Sequence, residues 1–137
     1  MSTVSRLHHV GFVVPSIAAA VPQFSAGMQM TWDGRVFHDP VQTVRVTFLA
    51  HSTPAAPLIE LVEPVDKESR VARFLKRGGG LHHLCYEVPA LDGEIERSLA
   101  SGAILVADAA AAVAFEGRRI AWICTPDRLL IEYLEQG

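Results

Sequence analysis

Leu7-His8-His9-Val10-Gly11-Phe12-Val13-Val14 returns later in the chain as Leu81-His82-His83-Leu84-Cys85-Tyr86-Glu87-Val88, an offset of 74. A second block follows in the same order: Ile59-Glu60-Leu61-Val62-Glu63-Pro64 returns as Ile131-Glu132-Tyr133-Leu134-Glu135-Gln136, an offset of 72. Two matched blocks at nearly equal offsets argue an internal duplication, with its boundary near Gly78-Gly79-Gly80.

Periodicity gives each half the same order of elements. The first strand covers about 6–14, and Pro15-Ser16 turns the chain with Ser16 placed to cap a helix. Ile17, Ala18, Ala20, Val21 and Phe24 follow at helical spacing as far as about Gly27. Strands are expected at about 32–38, 43–50 and 57–63, separated by Asp39-Pro40 and Thr53-Pro54. The second half repeats this βαβββ order. It has a strand at about 81–88, a helix at about 90–101 ending at Gly102, and strands near 104–107 or 112–115, 118–124 and 128–135. The run Ala109 to Ala112 favours helix as easily as strand. Lys67-Glu68-Ser69 opens a short helix through Val71, Ala72, Phe74 and Leu75. The expected architecture is one α+β domain over 1–137, made of two tandem βαβββ modules (about 1–66 and 81–137) joined by a helical connector at about 67–80.

Composition narrows the function classes. A chain of 137 residues with 50% hydrophobic content can fill one core. Its net charge of −3 recommends neither nucleic acid nor an anionic membrane as partner, and points to a small polar ligand. Met1 to Arg6 lead straight into a strand-like run without an export signal, so a cytoplasmic protein is expected. Cys85 and Cys124 sit in apolar runs without partners at metal-ligand spacing, and no disulfide is expected. The longest apolar stretches fall well short of the roughly 18 residues of a membrane span.

Strand alternation separates the histidines. His8 shares a face with Val10, Phe12 and Val14, and His82 with Leu84, Tyr86 and Val88; both should look outward, under the helices. His9 and His83 take the opposite faces, where Gly11 and Cys85 leave room for a ligand. Glu60 and Glu132 each interrupt an apolar strand, where a carboxylate must be paired or metal-bound because an isolated buried charge costs several kcal/mol. If the halves fold alike, one His and one Glu from each form a two-His, two-carboxylate set. That set suits a borderline divalent ion (Zn, Co, Mn, Ni or Fe(II)) with open positions, more than a closed structural zinc site. Glu63 and Glu135 also repeat, but their parity is opposite, and solvated faces are expected for both. Gly78-Gly79-Gly80 lacks a following Lys-Ser/Thr and is not a phosphate loop. Arg35, Arg45, Arg118 and Arg119 could meet a substrate carboxylate or phosphates, although scattered arginines are usually solvated.

Paired βαβββ modules with Leu-His-His-Val in the first strand, Gly-Gly-Leu-His-His-Leu-Cys-Tyr-Glu-Val opening the second half and Leu-Ile-Glu-Tyr near the end resemble the vicinal oxygen chelate (glyoxalase/bleomycin resistance/dioxygenase) superfamily. Ile-Glu-Leu-Val-Glu-Pro and the connector Ser69-Arg70-Val71-Ala72-Arg73-Phe74-Leu75 look most like the methylmalonyl-CoA epimerase group within it. The resemblance implies a cupped eight-stranded mixed sheet around a metal and ligand cavity, with helices outside, and a homodimer. It places one divalent metal on His9, His83, Glu132 and, as fourth ligand, Glu60. The implied chemistry is removal of a proton beside the carbonyl of a malonyl-type acyl thioester, with Glu132 both ligand and general base. Epimerisation needs a second relay. Where the family carries a glutamate before Gln-Gly-Val this chain has Asp39-Pro40-Val41-Gln42-Thr43-Val44, so the position falls on Val41, and His38 or Asp39 would have to substitute. The His-Pro pair common before the last strand is replaced by Thr125-Pro126-Asp127. Within the superfamily, a glyoxalase I-like lyase acting on a thiol adduct of an α-keto aldehyde and a non-catalytic, bleomycin-resistance-type binding protein are the competing functions. An extradiol dioxygenase fits less well, because its iron site normally sits in a longer chain.

Overall fold

Ser16 takes an extended backbone (φ −152°) and its hydroxyl accepts from the Ala19 amide, which starts helix α1 (Ile17–Ser25) just after strand β1 (Arg6–Val13). The computed structural model describes residues 4–137, and among them nine strands and three α-helices form an α+β fold. The chain divides into two compact units, His9–His82 and the residues up to His8 together with His83–Gly137.

In the unit His9–His82, β2 (Thr31–Trp32), β4 (Val44–Ala50), β5 (Leu58–Pro64) and β1 follow in that order, and β3 (Phe37–Asp39) also pairs with β4. β1 runs parallel to β5, from His9 beside Leu58 to Val13 beside Val62, while β4 is antiparallel to β5. The single strand expected at 32–38 is divided. Asp33 accepts from the Arg35 amide in a tight turn, and Gly34 takes φ +81°, a conformation that ends β2 before β3 begins. Helix α1 buries Ile17 and Val21 against Met30, Leu49 and Leu61, with Phe12, Phe24, Trp32 and Ile59 around them. Fully burying such side chains stabilises by about 1.5–3 kcal/mol each. The connector helix α2 (Arg70–Lys76) starts at Ser69, whose hydroxyl accepts from the Val71 amide, and packs on β5.

In the other unit the order is β6 (Gly80–Val88), β9 (Leu130–Glu135), β8 (Arg119–Cys124) and β7 (Ile104–Ala111). β6 is parallel to β9, β8 antiparallel to it, and helix α3 (Leu91–Ala100) covers Val88 and Ala121 through Leu91. The alanine run is extended through Ala111, because pairing with β8 outweighs a weak helical preference. Its irregular register and the 3₁₀ turn Val113–Phe115 mark the cost of that choice. No disulfide joins Cys85 and Cys124, and no described helix is long and apolar enough to cross a membrane.

Candidate metal centre

The parallel register of β1 and β5 sets Gly11 beside Glu60, so His9, Gly11, Glu60 and Val62 share the sheet face opposite α1. His9 is fully buried and its Nε2 lies 3.4 Å from Glu60 Oε1, the carboxylate itself being 6% exposed. Phe48 stands across from Glu60 on β4 and meets the His9 ring edge-on at 5.4 Å, with Phe37 behind it at 6.4 Å.

The second unit repeats this arrangement residue for residue. Cys85 stands beside Glu132 as Gly11 does beside Glu60, and Trp122 faces Glu132 as Phe48 faces Glu60. His83 Nε2 is again 3.4 Å from the carboxylate, at Glu132 Oε1, and its ring meets Trp122 at 4.7 Å and 77°. His83 and Glu132 are 4% and 3% exposed. Phe48 and Trp122 escaped the sequence reading because an aromatic residue in a strand looks like ordinary core. Their separation of 74, equal to that of the histidine blocks, was the signal that could have found them.

A separation of 3.4 Å is long for a charge-assisted hydrogen bond, which settles at about 2.7–2.9 Å. It matches two donors on one cation instead. Bonds of about 2.0–2.1 Å at tetrahedral to octahedral angles place neighbouring donors about 3.0–3.4 Å apart. Each unit therefore offers a buried imidazole and a buried carboxylate in a geometry that fits a borderline divalent ion.

The neighbouring histidines are occupied elsewhere. His8 lies edge-on to Phe115 at 5.5 Å, and His82 to Phe74 at 4.9 Å. Of the two candidates for a second relay, His38 stands across from Arg45, on the face away from Glu60. Asp39 lies on the Glu60 face, but its Oδ1 accepts from the amides of Val41 and Gln42 and so shapes the turn. Val41 is 85% exposed at the tip of that turn.

The expectation of solvated faces for Glu63 and Glu135 is corrected by their partners. Glu63 Oε1 accepts from the Ile17 amide at 2.7 Å, anchoring the start of α1, and its Oε2 takes a 2.7 Å bond from Arg45. Glu135 pairs with Arg119 at 2.7 Å and accepts from the backbone of Leu91, the first residue of α3. Arg45 and Arg119 are thus helix-anchoring partners, again 74 apart. Arg118 and Arg6 both bond Glu87, at 2.7 and 2.8 Å. Burial pushes the Glu87 carboxyl up, but the hydrogen bonds and charges of Arg118 and Arg6 hold it below its ordinary value on balance. The bonds from Arg119 likewise hold Glu135 low against partial desolvation, helped by the Leu91 backbone.

The chain is similar to several known proteins. An ethylmalonyl-CoA/methylmalonyl-CoA epimerase of Cereibacter sphaeroides is 29% identical over 128 residues, which cover 90% of this chain and 91% of that protein. The structure of methylmalonyl-CoA epimerase from Mycobacterium tuberculosis matches with a TM-score of 0.82 at 31% identity, over 96% of this chain and 87% of that one. A hypothetical protein from Bacillus halodurans C-125 matches with a TM-score of 0.85 at 28% identity, covering 97% and 95% of the two chains. Residues 8–122 match the family model of the Glyoxalase/Bleomycin resistance protein/Dioxygenase superfamily, and the chain belongs to that family.

Proposed function

We propose that this protein is a metal-dependent epimerase or isomerase that moves a proton at the carbon beside the carbonyl of a malonyl-type acyl thioester. The observation that carries the reading is the duplicated His and carboxylate pair, buried and held at 3.4 Å in both units. The 31% identity to a methylmalonyl-CoA epimerase supports the substrate class. In this reading His9, Glu60, His83 and Glu132 together hold one divalent ion, for which Co, Zn, Mn, Ni and Fe(II) are all suited by the donor set. The bound ion supplies Lewis-acid stabilisation of the negative charge that develops on the thioester oxygen.

The protein's own groups do the rest. Glu132 takes the proton from the α-carbon, in a site where Trp122 and Cys85 exclude water and keep the carboxylate from being levelled by solvent. Glu60 has the matching place in the other unit, with Gly11 beside it and Phe48 across the strand from it, and serves in this reading as a ligand. Return of the proton to the opposite face needs a second carrier. Asp39 is favoured over His38 because it shares the face of Glu60. Assembly as a homodimer and a cytoplasmic setting belong to the same reading, and stand on the family resemblance.

The test is metal content by mass spectrometry on the wild type and a His83→Ala variant, with hydrogen–deuterium exchange at the α-carbon of methylmalonyl-CoA followed on both. Near-stoichiometric metal, lost in the variant together with exchange, is expected. Metal without exchange would retain the site and overturn the substrate, leaving a glyoxalase-like lyase to be tested with a thiol adduct of an α-keto aldehyde. Absence of bound metal would favour a binding protein without catalysis.

A further inference from the structure

Each half lays a helix on its own strands, but the two halves do not fill the space beneath the helix equally. Offsets of 74 and 73 match Phe24 with Ser98 and Met30 with Ala103. The backbone agrees with both matches: the Met30 amide donates to the Phe24 carbonyl as the Ala103 amide donates to the Ser98 carbonyl, each at 3.0 Å. On the strands, Phe12 corresponds to Tyr86, Leu49 to Ile123 and Leu61 to Tyr133. In the unit His9–His82 the Phe24 ring packs on Phe12, with centroids 6.4 Å apart, and Met30 packs with Leu49 and Leu61. The large side chains at 24 and 30 thus complete that core, and their counterparts in the other unit are a serine and an alanine.

Where that ring and thioether are missing, a cavity of about 460 Å³ opens between α3 and the strands. Tyr86, Ile123, Ile131 and Tyr133 line it from the sheet, and Ser98 and Ala103 stand at the two truncated positions. Tyr133 is larger than Leu61 and takes part of the space, and its hydroxyl forms a 2.7 Å hydrogen bond with that of Ser98. This bond uses one of the two hydroxyl protons and leaves the other for a ligand oxygen. Glu94 and Arg97 also line the cavity, but as an ion pair with each other, so the lining has no net charge. An apolar and aromatic cavity of this size with a few convergent polar groups has the composition of a small-molecule site. Tyr86 and Tyr133 are direct partners in the β6–β9 register, which offers a ligand ring two aromatic neighbours.

We propose that this cavity binds a small uncharged aromatic molecule with one hydroxyl group, a phenol in its simplest form. Its ring takes the place that Phe24 holds in the other unit, and its oxygen meets the Ser98 and Tyr133 hydroxyls. The site is separate from the candidate metal centre, because Tyr86 and Tyr133 alternate along β6 and β9 with Cys85 and Glu132, which point to the opposite face of the sheet. It goes beyond the proton-transfer reading and does not depend on it.

The full-length, isotope-labelled protein is titrated with phenol and, separately, with toluene, and its amide shifts are followed by NMR. Saturable shifts clustered at Ser98, Ala103, Thr125 and Tyr133 are expected, with phenol the tighter ligand. Ser98→Phe/Tyr133→Leu rebuilds the Phe24 and Leu61 packing of the other unit, and should weaken both ligands by roughly tenfold or more with the circular dichroism unchanged. Ala103→Met restores the second missing side chain and should have the same effect on binding, which keeps the test decisive if the double variant does not fold. Tyr133→Phe keeps the ring and removes the hydroxyl. It should weaken phenol by roughly three- to tenfold, the effect of one neutral hydrogen bond, and leave toluene as it was. Chelator treatment should leave phenol affinity unchanged; its loss on chelation would place phenol at the metal centre and overturn the proposal. No saturation up to the solubility of phenol, shifts scattered away from the cavity, wild-type affinity in the filled variants, or an equal effect of Tyr133→Phe on both ligands would overturn it as well.

Discussion

In the proposed reaction Glu132 is the residue on which the chemistry depends most heavily, because a residue 3% exposed has little solvent to share a proton with. Glu132→Gln keeps the volume and one oxygen donor but removes the basic oxygen pair. Exchange at the α-carbon should fall by about 10²–10⁴, the range of a lost general base, with the circular dichroism unchanged. A variant that exchanges at the wild-type rate would reassign the base. Asp39→Asn is a finer probe, since an amide oxygen can still accept from Val41 and Gln42 and preserve the turn. If Asp39 is the second relay, the variant keeps exchange at one face of the carbon and loses inversion; equal rates for both would leave the second face to another group. At this scale the sequence was informative where residues repeated. His9, Glu60, His83 and Glu132 could be read because each is out of place in an apolar strand and each has a counterpart 72 or 74 residues away. Phe48 and Trp122 could not, because nothing about an aromatic in a strand is out of place.

At the scale of elements, the duplication also governs how helices are tied to sheets. Glu63 and Glu135 each close a strand, take an arginine from the neighbouring strand, and accept from the first residue of a helix. Parity placed them correctly on the face opposite the candidate ligands, but a helix covers that face, so the inference of solvation failed. Element boundaries were readable wherever a local chemical reason existed, as at Ser16 and Ser69. The division of the expected 32–38 strand depended on a turn at Asp33 and Gly34 that period-two reasoning overlooks. The ion pairs carry a pH consequence. Glu87 and Glu135 are both held below their ordinary carboxylate value of 4.5 in the folded state, so their contribution is complete above that value and is lost as pH falls through the folded values. The melting temperature should therefore decline below about pH 4.5, and Glu87→Gln should flatten that decline. Glu135→Gln should flatten it less, because its side chain is 31% exposed against 14% for Glu87 and is more strongly screened. Identical acid profiles in all three proteins would show that these pairs contribute nothing measurable.

For the molecule as a whole, the repeated pairs raise a question of stoichiometry that variants can answer. His9 with Glu60 and His83 with Glu132 could each hold an ion alone, or the four could serve one. Two ligands alone hold a borderline divalent ion weakly, since structural and catalytic sites of such ions take three or four protein ligands. The proposed function takes one ion per chain, drawing on all four. In that case His9→Ala and His83→Ala each abolish nearly all bound metal, and each lowers the melting temperature to that of chelator-treated wild type. Metal in excess of its dissociation constant by about 100-fold should restore roughly 2.7 kcal/mol of stability to the stripped wild type and almost none to either variant. Independent sites would give a different pattern, with two ions per wild-type chain and one remaining in each single variant. That outcome would separate the duplicated geometry from a shared function, and would confine proton transfer to the unit that holds Glu132.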